Sequence, residues 1–498
     1  MEFAKLLHRL NVEIISSGGT AAVLKKNRVP VKEISELTGF SEMLGGRVKT
    51  LHPKIHAGIL ATGSKEHLKE LKGQKIELID LVVVNLYPFK ETISKTKDMQ
   101  KIIEEIDIGG VALLRAAAKN FERVAVVCTP KQYAEVSQEL ISGNGVVSNR
   151  TRQNLAIEAF SLTAGYDSLI SNFFWQKFSK GMFPKHFTPT FEKVSDLRYG
   201  ENFQQKAALY RDPVQPEPSV AAAKVLQGKE MSFNNYLDAE AAVECVKEFS
   251  QPAACIVKHT IPSGIAEAKT IESAFAKAFD SDQKSAFGGV IALNRTCNGE
   301  AAKKIVSFFN EVVVAPDFEK SALEVLSSKK NLRLLEVVGL GEKPMEPLVD
   351  FKKVVGGLLV QQRNVSVVSK NQLKFVTEKI PGASELEDLL FAWKAAKHVK
   401  SNAIVVAKGK QAVGISGGQT SRVDAVKMAL EKAGEKARGA VLASDGFFPF
   451  PDSIELAGHA GISAVIQPGG SVKDNGIIKE SEEQKIALVF TGVRNFKH

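Results

Sequence analysis

Ala254-Cys255-Ile256-Val257-Lys258-His259-Thr260-Ile261-Pro262-Ser263-Gly264 begins as an apolar, strand-like run and delivers a lysine and a histidine side by side. Buried strands normally end in turn residues, so two titratable groups stacked at the exit of one are unusual. Adjacent residues of a regular strand face opposite sides, which would let only one of the pair enter a given cleft. The sequence therefore predicts a strand that breaks at Pro262 and Gly264, where loop geometry lets both nitrogens reach one substrate. Such a pair can remove one proton and supply another in the same reaction. Taken alone, a lysine in solvent and a histidine capping the strand are the simpler account. The rest of the chain changes that balance.

On either side of this segment, strand-like runs alternate with helical ones. Residues 12–16, 79–85 and 124–128 read as strands, and 21–26, 100–106 and 111–120 as helices. That alternation predicts an α/β unit with a mainly parallel sheet. Residues 130–183 look mostly helical, including 150–168, and 181–189 is the best linker, having Gly and Pro but no period. The expected division is residues 1–182 and 183–498. Beyond the linker come two further α/β segments. One runs through Lys258-His259 and Val290-Ile291-Ala292 to about Val314. The other holds Ala403-Ile404-Val405-Val406-Ala407, Val441-Leu442-Ala443-Ser444 and Ser463-Ala464-Val465-Ile466. Their similar rhythm predicts a duplicated subdomain.

A chain of 498 residues exceeds what one core usually holds, and 44% hydrophobic with 24% charged residues describes an ordinary soluble protein. Apolar runs such as Leu81-Val82-Val83-Val84 are strand-sized, far short of a membrane span. The opening Met1-Glu2-Phe3-Ala4-Lys5-Leu6-Leu7 reads as an amphipathic helix already under way, without a signal-peptide pattern. Cys128, Cys245, Cys255 and Cys297 lie far apart in apolar surroundings, so they read as reduced core residues rather than zinc ligands. A net charge of +10 admits nucleic acid, anionic membranes or small anions as partners. Lys and Arg are spread along the whole chain with no aromatic-basic pattern, which favours phosphates and carboxylates.

In the first unit four segments end strands or open helices. Ser16-Ser17-Gly18-Gly19-Thr20 offers close backbone approach, hydroxyls and a helix N-terminus to an anion. Arg47 and Lys49 follow Gly45-Gly46, and in an extended segment they would share a face. Ile106-Asp107-Ile108-Gly109-Gly110 opens a helix that carries Arg115 and Lys119 four apart on one side. Asn85-Leu86-Tyr87-Pro88-Phe89 brings an amide and a phenol to a strand end. Each has a dull explanation; together they favour a nucleotide phosphate site.

The second half repeats the theme. Arg198-Tyr199-Gly200 pairs a fork for phosphate with a ring for stacking. Gly288-Gly289 lets a ligand approach the backbone, and Gly414–Arg422 forms a Gly-rich, hydroxyl-bearing turn ending in a cation. Ser444-Asp445-Gly446-Phe447-Phe448-Pro449-Phe450-Pro451-Asp452 crowds three Phe into one turn, either as core plugs or as a face for a flat heteroaromatic. Gln467-Pro468-Gly469-Gly470-Ser471 closes another strand.

Several longer strings share one source: Gly46-Arg47-Val48-Lys49-Thr50-Leu51-His52-Pro53, Asp107-Ile108-Gly109-Gly110, Ala116-Ala117-Ala118-Lys119-Asn120, Val399-Lys400-Ser401-Asn402 and Val489-Phe490-Thr491-Gly492-Val493-Arg494. From about residue 12 to 498 the chain resembles the bifunctional purine-biosynthesis family. That family joins aminoimidazole-carboxamide ribonucleotide (AICAR) formyltransferase to IMP cyclohydrolase. The resemblance implies an α/β chain with a methylglyoxal-synthase-like N-terminal domain and two cytidine-deaminase-like subdomains without zinc. The Ser444–Asp452 turn indeed has Phe and Pro where a deaminase would carry cysteines. It further implies a cytoplasmic homodimer with shared active sites, no nucleic-acid or membrane partner, and no metal. The implied substrates are AICAR, formyl-AICAR and, as formyl donor, 10-formyltetrahydrofolate.

By the same likeness His259 is the proton shuttle of formyl transfer and Lys258 its charge-stabilising neighbour. Arg198, Tyr199, Gly288, Glu311, Asn402, Arg422, Phe447 and Arg494 would surround the nucleotide, with Asp452 and the Ser471 turn near the folate. For ring closure the resemblance nominates Lys119 as proton donor or acceptor, with Lys49, Tyr87 and Asp107 positioning the reacting groups. Ser17, Gly18, Gly19, Thr20, Arg47 and Thr50 would hold the phosphate, with Asn85 beside them.

The sequence departs from the family in places. The family opens with a strand and a Ser-x-x-Asp-Lys-Thr-Gly loop, whereas this sequence starts in the helix that follows. The expectation is either a late start or an impaired cyclohydrolase. Phe203, Gln204, Ile261, Ser416 and Gly446 replace usual family residues beside the formyltransferase site. Two other readings stay open: a formyltransferase whose first domain is only a scaffold, and a basic RNA-binding protein on the same fold.

Overall fold

The computed structural model describes residues 1–214, 217–341 and 349–498, which form two compact units, Met1–Phe191 and Glu192–His498. The stretch read as a linker, 181–189, belongs wholly to the first unit. The long helix Asn149–Phe178 pins it down: Ser168 and Asn172 both donate to the Thr188 carbonyl, the latter at 3.0 Å.

In the first unit β1 (Ile15–Ser16) pairs with β2 (Lys32–Glu33), and β3 (Leu81–Val83) with β4 (Ala125–Val127). Both pairings are parallel, as the alternating pattern predicts, but they make two short ribbons rather than one continuous sheet. Helix Gly109–Lys119 lays Leu114, Ala117 and Ala118 against Val82 and Val124–Val127, and Leu155, Ala156 and Ala159 of the long helix close the cluster.

The second unit starts with the ribbon β5 (Glu192–Leu197) and β6 (Ala207–Arg211). The first large sheet holds β7 (Lys224–Gln227), β8 (Ala253–Lys258), β9 (Ile261–Glu267), β10 (Gly289–Leu293), β11 (Asn310–Ala315) and β12 (Arg333–Glu336), in the order β7-β12-β11-β10-β8-β9. After the hairpin β13 (Val349–Val354) and β14 (Gly357–Gln362) comes the second, built of β15 (Lys374–Phe375), β16 (Ile404–Ala407), β17 (Ala412–Ser416), β18 (Val441–Ser444), β19 (Ala464–Gln467) and β20 (Ala487–Phe490). Its order is β15-β20-β19-β18-β16-β17, the same topology strand for strand. The duplicated rhythm of the sequence is a duplicated fold.

Alternation along the strands sorts the layers. Cys255, Val257, Val290 and Ala292 face a core shared with Val405 and Ala407 of the second sheet, with helices Phe233–Val246 and Ala383–Ala396 between them. Ala254, Ile256 and Ile291 point the other way, onto helix Ile271–Ser281. The sheets also meet at their outer strands, where Ala266 bridges antiparallel to Gln411 and Glu267 N–H donates to the Lys410 carbonyl. Gly264 and Gly414 let an outer helix press onto each edge strand: a Cβ there would stand 1.9 Å from the Ala278 carbonyl and 2.1 Å from that of Ala429. Among the described residues no helix is long and apolar enough to cross a membrane.

Candidate active sites

The deciding segment folds differently from the sequence expectation. The chain turns at His259 and Thr260, and β9 then runs straight through Pro262 and Gly264. A bulge at Ser263, opposite Ile256 and Val257, sits beside Pro262 and accommodates its missing N–H. Lys258 and Ile261 close a two-residue hairpin whose loop residues have φ of 55° and 62°. Such a turn needs positive φ at both positions and usually takes Asn-Gly. His, and above all β-branched Thr, sit there at a cost of about 1–2 kcal/mol each. What holds them is Asp238 on helix Phe233–Val246, whose carboxylate accepts from Thr260 N–H at 2.7 Å and from His259 N–H at 3.3 Å.

The neighbours of this turn are sequence-predicted residues. Lys258 donates from Nζ to the Phe287 carbonyl at 2.9 Å, one residue before Gly288, which has φ 72°. Glu311 is the bulged residue of β11, opposite Gly289 and Val290, and Arg333 clasps its carboxylate. One helical turn before Asp238, Asn234 donates to the Glu201 carbonyl at 3.2 Å. Residues four apart share a helix face, so the Arg198-Tyr199 loop and the His259 turn sit on one side of that helix. Arg198 stands 5.5 Å over the Tyr199 ring.

A second group gathers at the end of the other sheet. Asn402 donates to the Gln419 carbonyl at 2.8 Å. Arg422 is buried, donating to Ser444 Oγ at 2.8 Å and to the fully buried Asp445 carboxylate. Arg494 and Arg422 flank the Phe496 ring, at 4.8 and 5.9 Å. The three Phe of the turn divide between the two explanations: Phe448 is fully buried as a core plug, while Phe447 and Phe450 are 44% and 51% exposed. Asp452 Oδ1 accepts from Ser453 N–H, opening helix Asp452–His459, and Ser471 follows the positive-φ pair Gly469 and Gly470. Because β17 runs antiparallel to β9 from the Gln411 bridge, its Ser416 end lies on the same side of the unit as the His259 turn.

In the first unit the Ser17–Thr20 loop opens helix Gly18–Lys26, with Gly18, Gly19 and Thr20 exposed and Ser17 making no side-chain cap. Lys49 reaches over it: a Cβ on Gly18 would stand 3.3 Å from its Nζ. Thr50 Oγ1 would lie 2.5 Å from a Cβ on Gly109, at the start of the next helix, where Asp107 Oδ1 accepts from Gly110 N–H at 2.6 Å. Tyr166 donates to the Glu105 carbonyl and accepts from Asp107 N–H; burial pushes its phenol up to about 12. That helix runs back along β3 and β4, so its Gly109 end lies where Asn85 and Tyr87 follow β3. Asn85 donates to Tyr133 Oη at 2.9 Å and Tyr87 is exposed.

Two expectations fail here. Arg47 and Lys49 are not on one extended face. Positive φ at Gly45 and Gly46 turns the chain, sending Arg47 to Glu104 and Lys49 to Glu42. Lys119 lies at the opposite end of its helix from Gly109, about 15 Å along the axis at 1.5 Å per residue, beyond a lysine's reach from Asp107. The residue that sequence reasoning missed is Asp238. Its signal was faint: an acid on a helix face five residues after Phe233 says nothing about a turn twenty residues on.

Comparison with known proteins agrees with this architecture. A family model described as "AICARFT/IMPCHase bienzyme" matches residues 117–432, and one described as "MGS-like domain" matches residues 1–112. A protein of Persephonella marina named "Bifunctional purine biosynthesis protein PurH" is 51% identical, covering 100% of this chain and 97% of the relative. Proteins of the same name from Thermoanaerobacter sp. and Bacillus subtilis are 50% and 47% identical, each over 100% of this chain and over 97% and 96% of their own lengths. A solved structure described as "Crystal structure of ForH" is 35% identical and covers 35% of this chain and 91% of its own, with a TM-score of 0.32 that adds nothing to the assignment. With the bienzyme model matching residues 117–432 and relatives near half-identical end to end, this chain belongs to the AICARFT/IMPCHase bienzyme family.

Proposed function

We propose that His259 is the proton carrier in the first of two reactions this chain performs: formyl transfer to AICAR from a folate-derived donor, and closure of formyl-AICAR to IMP. The amine of AICAR is a poor nucleophile, its lone pair drawn toward the carboxamide. Attack on the formyl carbon requires that the amine lose a proton and that the departing donor nitrogen gain one. The donor is 10-formyltetrahydrofolate, the nitrogen its N10. His259 accepts the first proton and returns one to N10, while Lys258 steadies the developing charge. Such acid–base help is worth about 100- to 10,000-fold. The observation that carries this reading is the turn itself. A histidine is held in a strained conformation beside Lys258 and Gly288, where a plain hairpin would use Asn-Gly.

Around it, Arg198, Arg422 and Arg494 suit a phosphate-bearing nucleotide, and Asn402 and Glu311 supply polar partners. The exposed ring of Phe447 suits the nucleotide base, while Phe450, with Asp452 two residues on and Lys473 of the Ser471 turn 3.8 Å over its ring, fits a flat pterin. Ring closure, with loss of water, falls to Lys49, Thr50 and Asp107 above the Ser17–Thr20 helix start, which suits a phosphate dianion. Asn85 and Tyr87 stand at the neighbouring strand end. Lys119 lies outside that cluster in its own chain, so its part in closure is played toward a second chain of a homodimer with shared sites. The small-molecule substrates and reduced cysteines suit a cytoplasmic enzyme.

The test mixes the protein with AICAR and 10-formyltetrahydrofolate and follows both products. IMP should appear with the wild type, and His259→Ala should make neither product while still binding AICAR. Near-normal turnover by that variant removes the mechanism. Formyl-AICAR that accumulates without IMP would reduce the first unit to a scaffold.

A further inference from the structure

We propose that Asp238 is a positioning residue for formyl transfer: by chelating two backbone N–H groups it fixes the turn that aims His259. The inference rests on the reading of His259 as proton carrier.

The Asp238 carboxylate takes Thr260 N–H at 2.7 Å and His259 N–H at 3.3 Å, one oxygen to each. Two bonds from one rigid acceptor define the orientation of two successive peptide planes, and with them φ of both loop residues. Neither residue prefers that conformation, since only Gly and, less readily, Asn occupy it without penalty. A freed His259-Thr260 turn would therefore relax toward negative φ and swing the imidazole with it. Beyond Asp238, the pairing of Lys258 with Ile261 holds the strands together but leaves the loop peptides without a side-chain clamp. Lys258 is anchored on the far side, at the Phe287 carbonyl. Asp238 sits on a helix whose neighbouring Ala239, Ala242 and Val243 are buried in the shared core, so the acceptor is as rigid as the fold.

The second repeat supplies the comparison that separates positioning from architecture. There the equivalent hairpin between β16 and β17 turns at Gly409 and Lys410, with φ of 60° and 56°. Asp388, on helix Ala383–Ala396, accepts from Gly409 N–H and Lys410 N–H, both at 2.7 Å. The clamp is the same, but the first turn position is glycine, which needs no holding and carries no side chain. As an element of the fold, the clamp occurs twice; as a device that aims an imidazole, it occurs once.

The experiment compares Asp238→Ala, Asp238→Asn, Asp388→Ala and His259→Ala in the full-length protein, measuring kcat and KM for formyl transfer together with Tm. Asp238→Ala should lower kcat about 10- to 100-fold, with KM for AICAR moving less than about threefold. Asp238→Asn keeps one acceptor oxygen for Thr260 N–H, folds as the wild type does, and should recover part of that loss. Asp388→Ala should lower Tm about as much as Asp238→Ala yet leave kcat within about twofold of wild type. Equal kcat for Asp238→Asn and the wild type, or equal kcat losses from Asp238→Ala and Asp388→Ala, would overturn the proposal. If Asp238→Ala does not fold, the asparagine variant decides alone. An active His259→Ala would instead defeat the underlying reading, so the two failures are told apart.

Discussion

The guanidinium of Arg422 is buried against the carboxylate of Asp445 and stands over the Phe496 ring, 5.9 Å from its centroid, at the end of the second sheet. An ion pair so placed is more informative about geometry than about net stability, because desolvation offsets most of its attraction. Removing one partner is another matter. Asp445→Ala leaves a buried cation uncompensated and should cost about 3–5 kcal/mol, read as a shift of the urea midpoint. The same change frees Arg422 to move, so KM for AICAR should rise. A stable variant with unchanged KM would show that Arg422 is held by something else.

Glu248 gives the pH dependence. Burial by itself would push its carboxyl up, but the hydrogen bond and charge of His398 and the Lys397 ammonium 2.7 Å away outweigh it and hold the group at about 2. The unfolded value is about 4.3, so the native pKa is the depressed one. Its contribution is fully present above about pH 4.3 and is lost as pH falls toward 2, amounting to about 3 kcal/mol. The stability gap between wild type and Glu248→Gln should therefore narrow from pH 5 to pH 3. A gap of constant size across that range would contradict the assignment.

Gly264 and Gly414 make the same prediction twice. Each lies where a helix carbonyl would come within 1.9 or 2.1 Å of an added Cβ, and neither has positive φ, so the penalty is steric alone. Alanine at either should cost about 3 kcal/mol in chemical unfolding. Loss at one site and tolerance at the other would mean that the two repeats pack their outer helices differently.

Lys49 and Lys119 can be separated by mixing subunits. Lys49→Ala should block conversion of formyl-AICAR to IMP and spare formyl transfer. If Lys119 serves the site of a second chain, then refolding Lys49→Ala together with Lys119→Ala creates mixed dimers with one intact site. Closure should return to roughly a quarter of the wild-type rate in a statistical mixture. No recovery would place both lysines in one chain's site.

What the sequence made legible was periodicity and composition. The apolar run 253–257 is a strand buried on both faces, and the matching run Ala403–Ala407 is its counterpart, because both obey local rules of burial. Turn geometry was not legible. Pro262 and Gly264 look like a break, but a bulge at Ser263 between them and a helix pressed onto β9 keep both inside a strand. The three Phe of residues 447–450 were ambiguous for a similar reason. Hydrophobicity is shared by core plugs and ligand faces, and only the burial of Phe448 against the exposure of its neighbours separates them. Arg47 and Lys49 were misplaced because two successive glycines allow a reversal that a period of two cannot show.

The bridge between Ala266 and Gln411 implies a history as well as a geometry. A single six-stranded half, cut loose, would present an unzipped strand border and a bare apolar helix, the two surfaces its twin now covers. Such a piece would seek a copy of itself, and the present chain reads as that ancient pair made permanent by fusion. The two halves keep one strand order and one carboxylate-held turn, yet only the first bears an imidazole there.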